Sequence, residues 1–179
     1  MTAQNMRRVL AAGDLVLRPL QAEDAGSIAQ WAGDKRIADT TANIPHPYPP
    51  ELAQQWILET QDKWASGTDA CFAITLAETA ELVGAISLMD IADGEAELGY
   101  WVGAPWWGRG IASRAAELLI EFAGKELQLA RLHARCLARN PASSKVLLRS
   151  GFVYLKTEQS VCGFQQENQP TEFFERVLS

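Results

Sequence analysis

The sequence has few of the residues that hold metal ions or form disulfide bonds. Its 179 residues include three cysteines, Cys71, Cys136 and Cys162, and two histidines, His46 and His133. Three scattered cysteines provide neither a disulfide framework nor a Cys-x-x-Cys metal pair, and two histidines are few for a histidine zinc site. We therefore expect no metal, reduced thiols and a cytoplasmic protein.

The chain also lacks a long apolar run and an excess of positive charge. No stretch reaches the roughly 20 apolar residues that a membrane-spanning helix needs. Gly13 and Asp14 interrupt the apolar run 9–12 before it could serve as a signal-peptide core. The formal net charge of -6 gives no field that would attract a phosphate backbone. We therefore expect neither a membrane nor a nucleic-acid partner, and the acidic balance fits a substrate that arrives as a cation, such as an amine.

What is present is typical of one globular domain. Hydrophobic residues make up 47% and charged residues 21% of the chain, a balance that supplies a core. The length is that of a single domain, and we find no internal repeat, low-complexity segment or linker. We therefore predict one domain over residues 1–179, in which residues 1–13 form a flexible leader.

Hydrophobic periodicity predicts a mixed α/β fold. Apolar alternation predicts strands at residues 15–20, 71–76, 82–89, 96–102, 132–137, 152–155 and 172–178. Helical spacing predicts helices at residues 23–33, 51–64, 111–122 and 143–149. Prolines exclude a helix from residues 44–50. We expect a largely antiparallel sheet of about seven strands with about four flanking helices, and one parallel pair joined by the helix after Gly110.

A glycine turn, Gly108-Arg109-Gly110, lies between a predicted strand and a predicted helix. Backbone N–H groups at such a turn point into one concavity, and the helix N-terminus adds partial positive charge, which suits a pyrophosphate. A Gly-x-Gly pair also occurs in ordinary strand-to-helix turns. A Walker loop is excluded because Arg109-Gly110 stands where Lys-Ser/Thr is required. A dinucleotide fingerprint fails because Ser113 replaces its third glycine.

Four motifs in order resemble the GCN5-related N-acetyltransferases (GNAT). Residues 107–112 are similar to that family's Gln/Arg-x-x-Gly-x-Gly/Ala pyrophosphate loop, and residues 96–102 to the strand before it. Residues 140–152 resemble its Asn-x-x-Ser helix and the Gly-Phe that follows. Residues 17–24 with 44–48 resemble the RimJ/RimL-like ribosomal-protein branch, so the resemblance runs from about Leu15 to the C-terminus.

The resemblance implies transfer of an acetyl group from acetyl-CoA to a primary amine. It implies that backbone N–H groups near Trp101 or Val102 meet the thioester oxygen, and that Asn140 binds the pantetheine or pyrophosphate arm. Trp107 stands where the family loop usually has Gln or Arg. The resemblance therefore implies that backbone N–H groups of the loop bind the phosphates, but it implies no phosphate contact from this side chain. The implied loop residues are Trp107, Gly108, Arg109, Gly110, Ala112 and Ser113.

Two side chains are candidates for proton transfer. Glu97 stands where the family often carries its base, and Glu95 competes because alternate strand residues share a face. Ser143 is the candidate acid beside the departing sulfur, with Tyr154 in reserve. Both assignments have plain alternatives, since Glu97 also fits a solvated strand carboxylate and an Asn-Pro start followed by serine also fits an ordinary helix cap.

The proline-rich loop supplies two acceptor-site candidates, His46 and Tyr48, which compete with ordinary loop packing. His133 alternates with apolar neighbours and receives no role. Trp106 and Trp107 are candidates for a wall of the cofactor groove.

The acetyl acceptor is left open by the sequence. The resemblance favours a protein N-terminal amine, but the branch also includes enzymes of small amines, polyamines and antibiotics. Two other classes of protein remain: a CoA-binding sensor or partner protein that has lost turnover, and a structural α/β module without CoA affinity. A homodimer through an edge strand is compatible with such a fold.

Overall fold

A computed structural model describes residues 8–162 and 167–178 of the chain. Within these ranges the strands are β1 (Leu10–Ala12), β2 (Leu15–Pro19), β3 (Ala70–Leu76), β4 (Leu82–Ala92), β5 (Glu95–Val102), β6 (Arg131–Leu137), β7 (Val153–Cys162) and β8 (Glu167–Val177). They form one mixed sheet in the spatial order β1-β2-β3-β4-β5-β6-β8-β7. All neighbours are antiparallel except β5 and β6, as the sequence predicted.

The prediction of a flexible leader over residues 1–13 is wrong for its last residues. Leu10–Ala12 forms β1, which pairs antiparallel with β2 so that Leu10 lies opposite Leu17. Gly13 has a φ of 60° in the tight turn between the two strands, a conformation that glycine adopts without strain. Three residues are too few to show an alternating pattern, and β1 is the strand that raises the expected seven to eight. Residues 1–7 lie outside the described ranges.

The helices are α1 (Ala25–Ala32), α2 (Lys35–Ala38), α3 (Pro50–Ser66), α4 (Ile111–Lys125) and α5 (Pro141–Arg149). Four of them lie where the sequence predicted them, and α2 was not predicted. The sequence Gly33-Asp34 does end α1, but the Asp34 side chain also accepts a hydrogen bond from the Arg36 N–H and so caps the N-terminus of α2. α3 begins at Pro50 and ends before Gly67, whose φ is 79°.

Helices cover both faces of the sheet, so its central strands are buried on both sides. On one face Phe72 and Ile74 pack with Leu119 and Phe122 of α4. On the other face the alternate residues of β3 pack against α1 and α3. No helix in the described ranges has the length and apolar character needed to cross a bilayer.

The sheet opens between β5 and β6. The parallel ladder between these strands covers only Glu95–Glu97 opposite Arg131–His133, and α4 is the crossover that joins them. Beyond Glu97, β5 stays paired with β4, and β6 stays paired with β8. The two strands therefore diverge, and the C-terminal half of β5 borders a gap in the sheet.

Candidate active site

A cavity of about 780 Å³ lies at this gap. Its walls come from both faces of the sheet, because the diverging strands let it pass through. Among the lining residues are Ile37, Thr40, Thr41, Tyr48, Trp56, Met89, Glu97, Tyr100, Trp101, Val102, Trp107, Gly108, Gly110, Ala112, Ser113, Arg135, Cys136, Arg139, Asn140, Ser143, Lys145 and Arg149.

The glycine turn forms one wall of the cavity. Gly108 and Gly110 have φ values of 76° and 71°, and a Cβ added at either would meet no atom within 4 Å. α4 starts directly after Gly110 with no side-chain cap, so the first N–H groups of the helix have no intrahelical partner. These donors and the helix dipole form an electropositive surface that fits a pyrophosphate. Ala112 and Ser113 line the cavity as predicted, whereas the exposed Arg109 side chain lies outside the lining.

Trp107, which directly precedes the glycine turn, links the turn to β5 by a hydrogen bond. Its indole Nε1 donates a hydrogen bond of 2.6 Å to the backbone oxygen of Val102, although the side chain is 46% exposed. The tryptophan that replaces the usual Gln or Arg therefore ties the loop to the end of β5. Its neighbour Trp106 is buried and packs edge-on against Trp31, with ring centroids 4.7 Å apart.

Substitution of Gly110 by alanine is expected to weaken cofactor binding more than it weakens the fold. A left-handed conformation costs an alanine about 1–2 kcal/mol, and the added methyl group would project where the phosphates are expected. We expect the KM for acetyl-CoA to rise about tenfold, which corresponds to about 1.4 kcal/mol. Gly13→Ala is the matched control, because Gly13 has a φ of 60° and open space but lies in the β1–β2 turn. An equal rise in KM in both variants would contradict a cradle at Gly110.

Trp101 and Val102 end β5 at the mouth of the gap. Both are buried and line the cavity, and they pair with Ala85 and Gly84 of β4. The structure thus brings the two residues beside the glycine turn. Their contact with a thioester oxygen stays a prediction.

The structure separates the two candidate carboxylates. Glu97 lines the cavity with 24% of its side chain exposed, and its Oε1 accepts a 2.8 Å hydrogen bond from Arg135 Nε. Glu95 lies on the same strand face but outside the lining, where its Oε2 is 2.8 Å from His133 Nε2. The hydrogen bond from His133 lowers the pKa of the Glu95 carboxyl. Only Glu97 is placed to meet a substrate in the cavity.

Asn140 holds α5 in place at the cavity wall. Its Oδ1 accepts a 3.2 Å hydrogen bond from the Ser143 N–H, so it is the helix cap, and its Nδ2 donates to the Thr40 oxygen at 3.0 Å. Both ends of the amide are therefore engaged within the protein. A contact between Asn140 and the cofactor stays a prediction.

Ser143 lines the cavity, and the sequence missed its closest partner there. Tyr100 Oη lies 2.7 Å from Ser143 Oγ, and burial raises the pKa of Tyr100 to about 12. Cys136 lies beside them, also with a pKa raised to about 12 by burial. Strand alternation puts Tyr100 on the face of β5 opposite Glu97, so the direction of its side chain could be predicted. Its contact with Ser143, 43 residues further along the chain in α5, could not be predicted from the sequence.

The reserve acid Tyr154 lies away from the cavity. Its side chain is 47% exposed on β7, and its hydroxyl is 2.8 Å from Thr157 Oγ1.

The two candidates of the proline-rich loop lie in different places. Tyr48 lines the cavity, and burial raises its pKa to about 12, whereas the exposed His46 lies outside the lining with Nδ1 2.9 Å from the Gly33 oxygen. The structure therefore keeps Tyr48 as an acceptor-site candidate and does not bring His46 there.

The charge of the cavity differs from the charge of the chain. Among the described residues that line it, Glu97 is the sole carboxylate and is paired with Arg135, while the basic side chains are Arg135, Arg139, Lys145 and Arg149. The net acidity of the sequence is thus carried elsewhere, and the inference from it to a cationic acceptor does not apply to this site. The described residues contain no cluster of three or more His, Cys, Asp or Glu that could hold a metal.

Comparison with known proteins identifies the family. The model of the acetyltransferase (GNAT) domain matches residues 14–153, and the chain therefore belongs to the GNAT family and is an acetyl-CoA-dependent N-acetyltransferase. The chain is 32% identical over 135 residues to the N-acetyltransferase p20 of Bacillus licheniformis, a match covering 74% of this chain and 75% of that protein. It is 39% identical over 75 residues to the ribosomal-protein-serine acetyltransferase of Escherichia coli, covering 41% and 42%.

Solved structures show the same fold. RimJ of Mycobacterium smegmatis, in complex with CoA-disulfide, superposes with a TM-score of 0.87 at 19% identity over 97% of this chain and 88% of that chain. RimL, a ribosomal L7/L12 α-N-protein acetyltransferase in complex with coenzyme A, gives 0.86 at 17% identity over 96% and 98%. The self-immunity acetyltransferase MccE, in complex with acetyl-CoA and AMP, gives 0.83 at 19% identity over 93% and 94%.

Proposed function

We propose that this enzyme acetylates the α-amino group of a protein N-terminus. The observation that carries the proposal is the cavity itself, which offers one carboxylate already paired with an arginine and three further basic side chains. Such a lining suits an acceptor with a single weakly basic amine better than a polycation. The ribosomal-protein acetyltransferases among the relatives, whose names specify protein substrates, support the same class.

The basicity of the acceptor decides how much help the enzyme must give. An α-amino group titrates at about 7.7–8.0, so half-deprotonation lies within roughly 1 kcal/mol at pH 7. A lysine or polyamine amine near 10.4 costs roughly 4.6 kcal/mol. The single carboxylate among the described residues that line the cavity, Glu97, therefore has little work to do for an α-amine and far more for a lysine or polyamine amine.

The described residues can be assigned to each step. The amine nitrogen attacks the acetyl carbon, the C–N bond forms, and the C–S bond breaks to release CoA thiolate. Glu97 takes the amine proton directly or through water, and backbone N–H groups at Trp101 or Val102 stabilise the carbonyl oxygen as it gains charge. Ser143 donates a hydrogen bond to the departing sulfur.

A panel of acceptors tests the proposal. Two peptides are compared by the rate at which the enzyme releases CoA thiol: one has a free α-amine, and the other is the same peptide with an Nα-acetyl group and an added internal lysine. We expect kcat/KM for the first peptide to be at least ten times that for the second. Spermidine and aminoglycosides test the alternative of a small-molecule acceptor, and preference for either would overturn the protein-terminus proposal.

The same experiment separates an enzyme from a CoA-binding sensor. A ligand at one hundred times its Kd stabilises a protein by about 2.7 kcal/mol. Thermal stabilisation by acetyl-CoA without thiol release from any acceptor would support the sensor.

We propose a cytoplasmic location for the reaction, because the reducing cytoplasm keeps thiols such as those of Cys71 and Cys136 free. Self-association through the edge strand β7 stays a prediction, to be tested by sedimentation velocity.

A further inference from the structure

Tyr100 and Ser143 form the shortest hydroxyl pair in the cavity wall. Tyr100 projects from β5, and its Oη lies 2.7 Å from Ser143 Oγ and 3.3 Å from the Ser143 backbone oxygen. A separation of 2.7 Å is typical of a strong O–H···O hydrogen bond, whereas 3.3 Å is long. Ser143 Oγ is therefore the principal partner of the tyrosine hydroxyl. Both side chains line the cavity.

The direction of this hydrogen bond decides what Ser143 can do. A serine hydroxyl has one hydrogen and two lone pairs. If Ser143 donated to Tyr100, its hydrogen would be used inside the wall. If Tyr100 donates, the Ser143 hydrogen stays available for a sulfur atom.

The chemistry of the two hydroxyl groups favours the second arrangement. A phenol is a stronger hydrogen-bond donor and a weaker acceptor than an aliphatic alcohol, because its oxygen lone pair is delocalised into the ring. Tyr100 is therefore the expected donor of the 2.7 Å hydrogen bond and Ser143 Oγ its acceptor. This arrangement leaves the Ser143 hydrogen available to a sulfur atom in the cavity.

We propose that Tyr100 is a positioning residue for Ser143: its hydroxyl donates to Ser143 Oγ and so directs the Ser143 hydrogen toward the sulfur of the departing CoA. The inference rests on the role proposed above for Ser143. As the C–S bond breaks, the electron pair stays on sulfur, and the Ser143 hydrogen bond stabilises the charge that develops there. The thiolate gains its proton from solvent after release, so no alkoxide is formed in the wall.

The acidity of Tyr100 agrees with this division of work. Burial raises its pKa to about 12, so the hydroxyl keeps its hydrogen throughout the neutral range and acts as a fixed donor. A free thiol titrates near 8.5, so outright proton transfer from such a tyrosine would be uphill by roughly 5 kcal/mol. Orientation, and not acid strength, is what Tyr100 contributes.

A double-mutant cycle tests the proposal. Tyr100→Phe keeps the ring and removes the donor, and we expect kcat to fall about tenfold with the KM for acetyl-CoA within about twofold. The expected kcat of Tyr100→Phe/Ser143→Ala equals that of Ser143→Ala, because both changes remove one shared interaction. Tyr154→Phe is the matched control, since that hydroxyl lies outside the cavity, and it is expected to leave kcat unchanged.

The outcomes separate this inference from the function on which it rests. Full kcat in Ser143→Ala would remove Ser143, and Tyr100 with it, from the reaction. A loss in Ser143→Ala with none in Tyr100→Phe, or losses that multiply in the double variant, would overturn the role of Tyr100 alone. Incorporation of 3-fluorotyrosine at position 100 retains the donor and is expected to retain kcat. A loss there equal to that of Tyr100→Phe would mean that packing, and not donation, matters.

Discussion

An enzyme carrying Glu97→Gln is expected to lose about 100-fold in kcat/KM at pH 7, at the lower end of what removal of a general base costs. The amide keeps the shape of the side chain and an oxygen that can accept from Arg135, but it cannot take the amine proton. The loss is at the lower end because an α-amine is already close to deprotonation at this pH.

The pH profile distinguishes a base from a binding group. In the variant, the neutral fraction of an α-amine must come from its own ionisation near pH 7.7–8.0. We therefore expect kcat/KM of the variant to rise steadily from pH 6 to 8 and then to level off, which reduces the deficit at high pH. Initial rates of thiol release from pH 6 to 9, with one peptide acceptor, measure this.

Glu95→Gln is the control for this experiment. Glu95 shares the strand face of Glu97 but lies outside the cavity, bonded to His133. Its substitution is expected to leave kcat/KM within about twofold over the whole pH range, because Glu95 does not line the cavity and cannot reach the amine. Full activity of Glu97→Gln from pH 6 to 9 would remove Glu97 as the base.

Gly84→Ala is expected to lower stability by about 3 kcal/mol, the upper part of the range for overpacking a core. A Cβ at Gly84 would lie 2.3 Å from the Trp101 backbone oxygen and 3.1 Å from the Val102 Cα. These are backbone atoms of the adjacent strand, so no side chain can rotate away. β5 must move where it borders the gap, and a domain of this size should lose roughly 6–12 °C in Tm.

The displacement of β5 should also reduce activity. Trp101 and Val102 are the residues whose N–H groups we assign to the carbonyl oxygen, and catalysis is sensitive to displacements of about 1 Å. Differential scanning calorimetry and thiol-release kinetics below the transition measure the two effects on one preparation. Loss of stability with full kcat would show that the end of β5 does not contact the reacting group.

Gly26→Ala provides the opposite control. Gly26 is an exposed residue of α1, and a Cβ there meets no atom within 4 Å. Alanine is a better helix former than glycine by about 1 kcal/mol, so this variant is expected to be slightly more stable with unchanged kinetics. Destabilisation of both variants to the same degree would contradict the steric explanation for Gly84.

The long periodic elements of the fold were predictable because their signals are local. α4 carries an apolar face over four turns, and β3 to β5 alternate or run apolar between clear turns. The short elements were not. Leu10–Ala12 is a strand because β2 offers it an edge, and Lys35–Ala38 is one helical turn held by the Asp34 cap.

Only those parts of the candidate site that lie in contiguous sequence motifs could be predicted. Gly108, Gly110, Glu97 and Ser143 could be named because they stand in motifs of contiguous residues. The charge of the cavity and the contact between Tyr100 and Ser143 join segments that are far apart in sequence. Distances between such segments follow from packing, which no local pattern encodes.

The sequence by itself determined the family, the mixed α/β order, the parallel pair around α4 and the glycine turn, because backbone conformation and periodicity are properties of neighbouring residues. The tertiary structure decided which carboxylate enters the cavity, which hydroxyl accompanies Ser143, and that Tyr154 and His46 lie outside. For the side chains of β5, the physical reason is the divergence of β5 from β6 after Glu97. That gap admits some side chains of β5 and β6 to the cavity, while the ladder before it leaves Glu95 outside with His133.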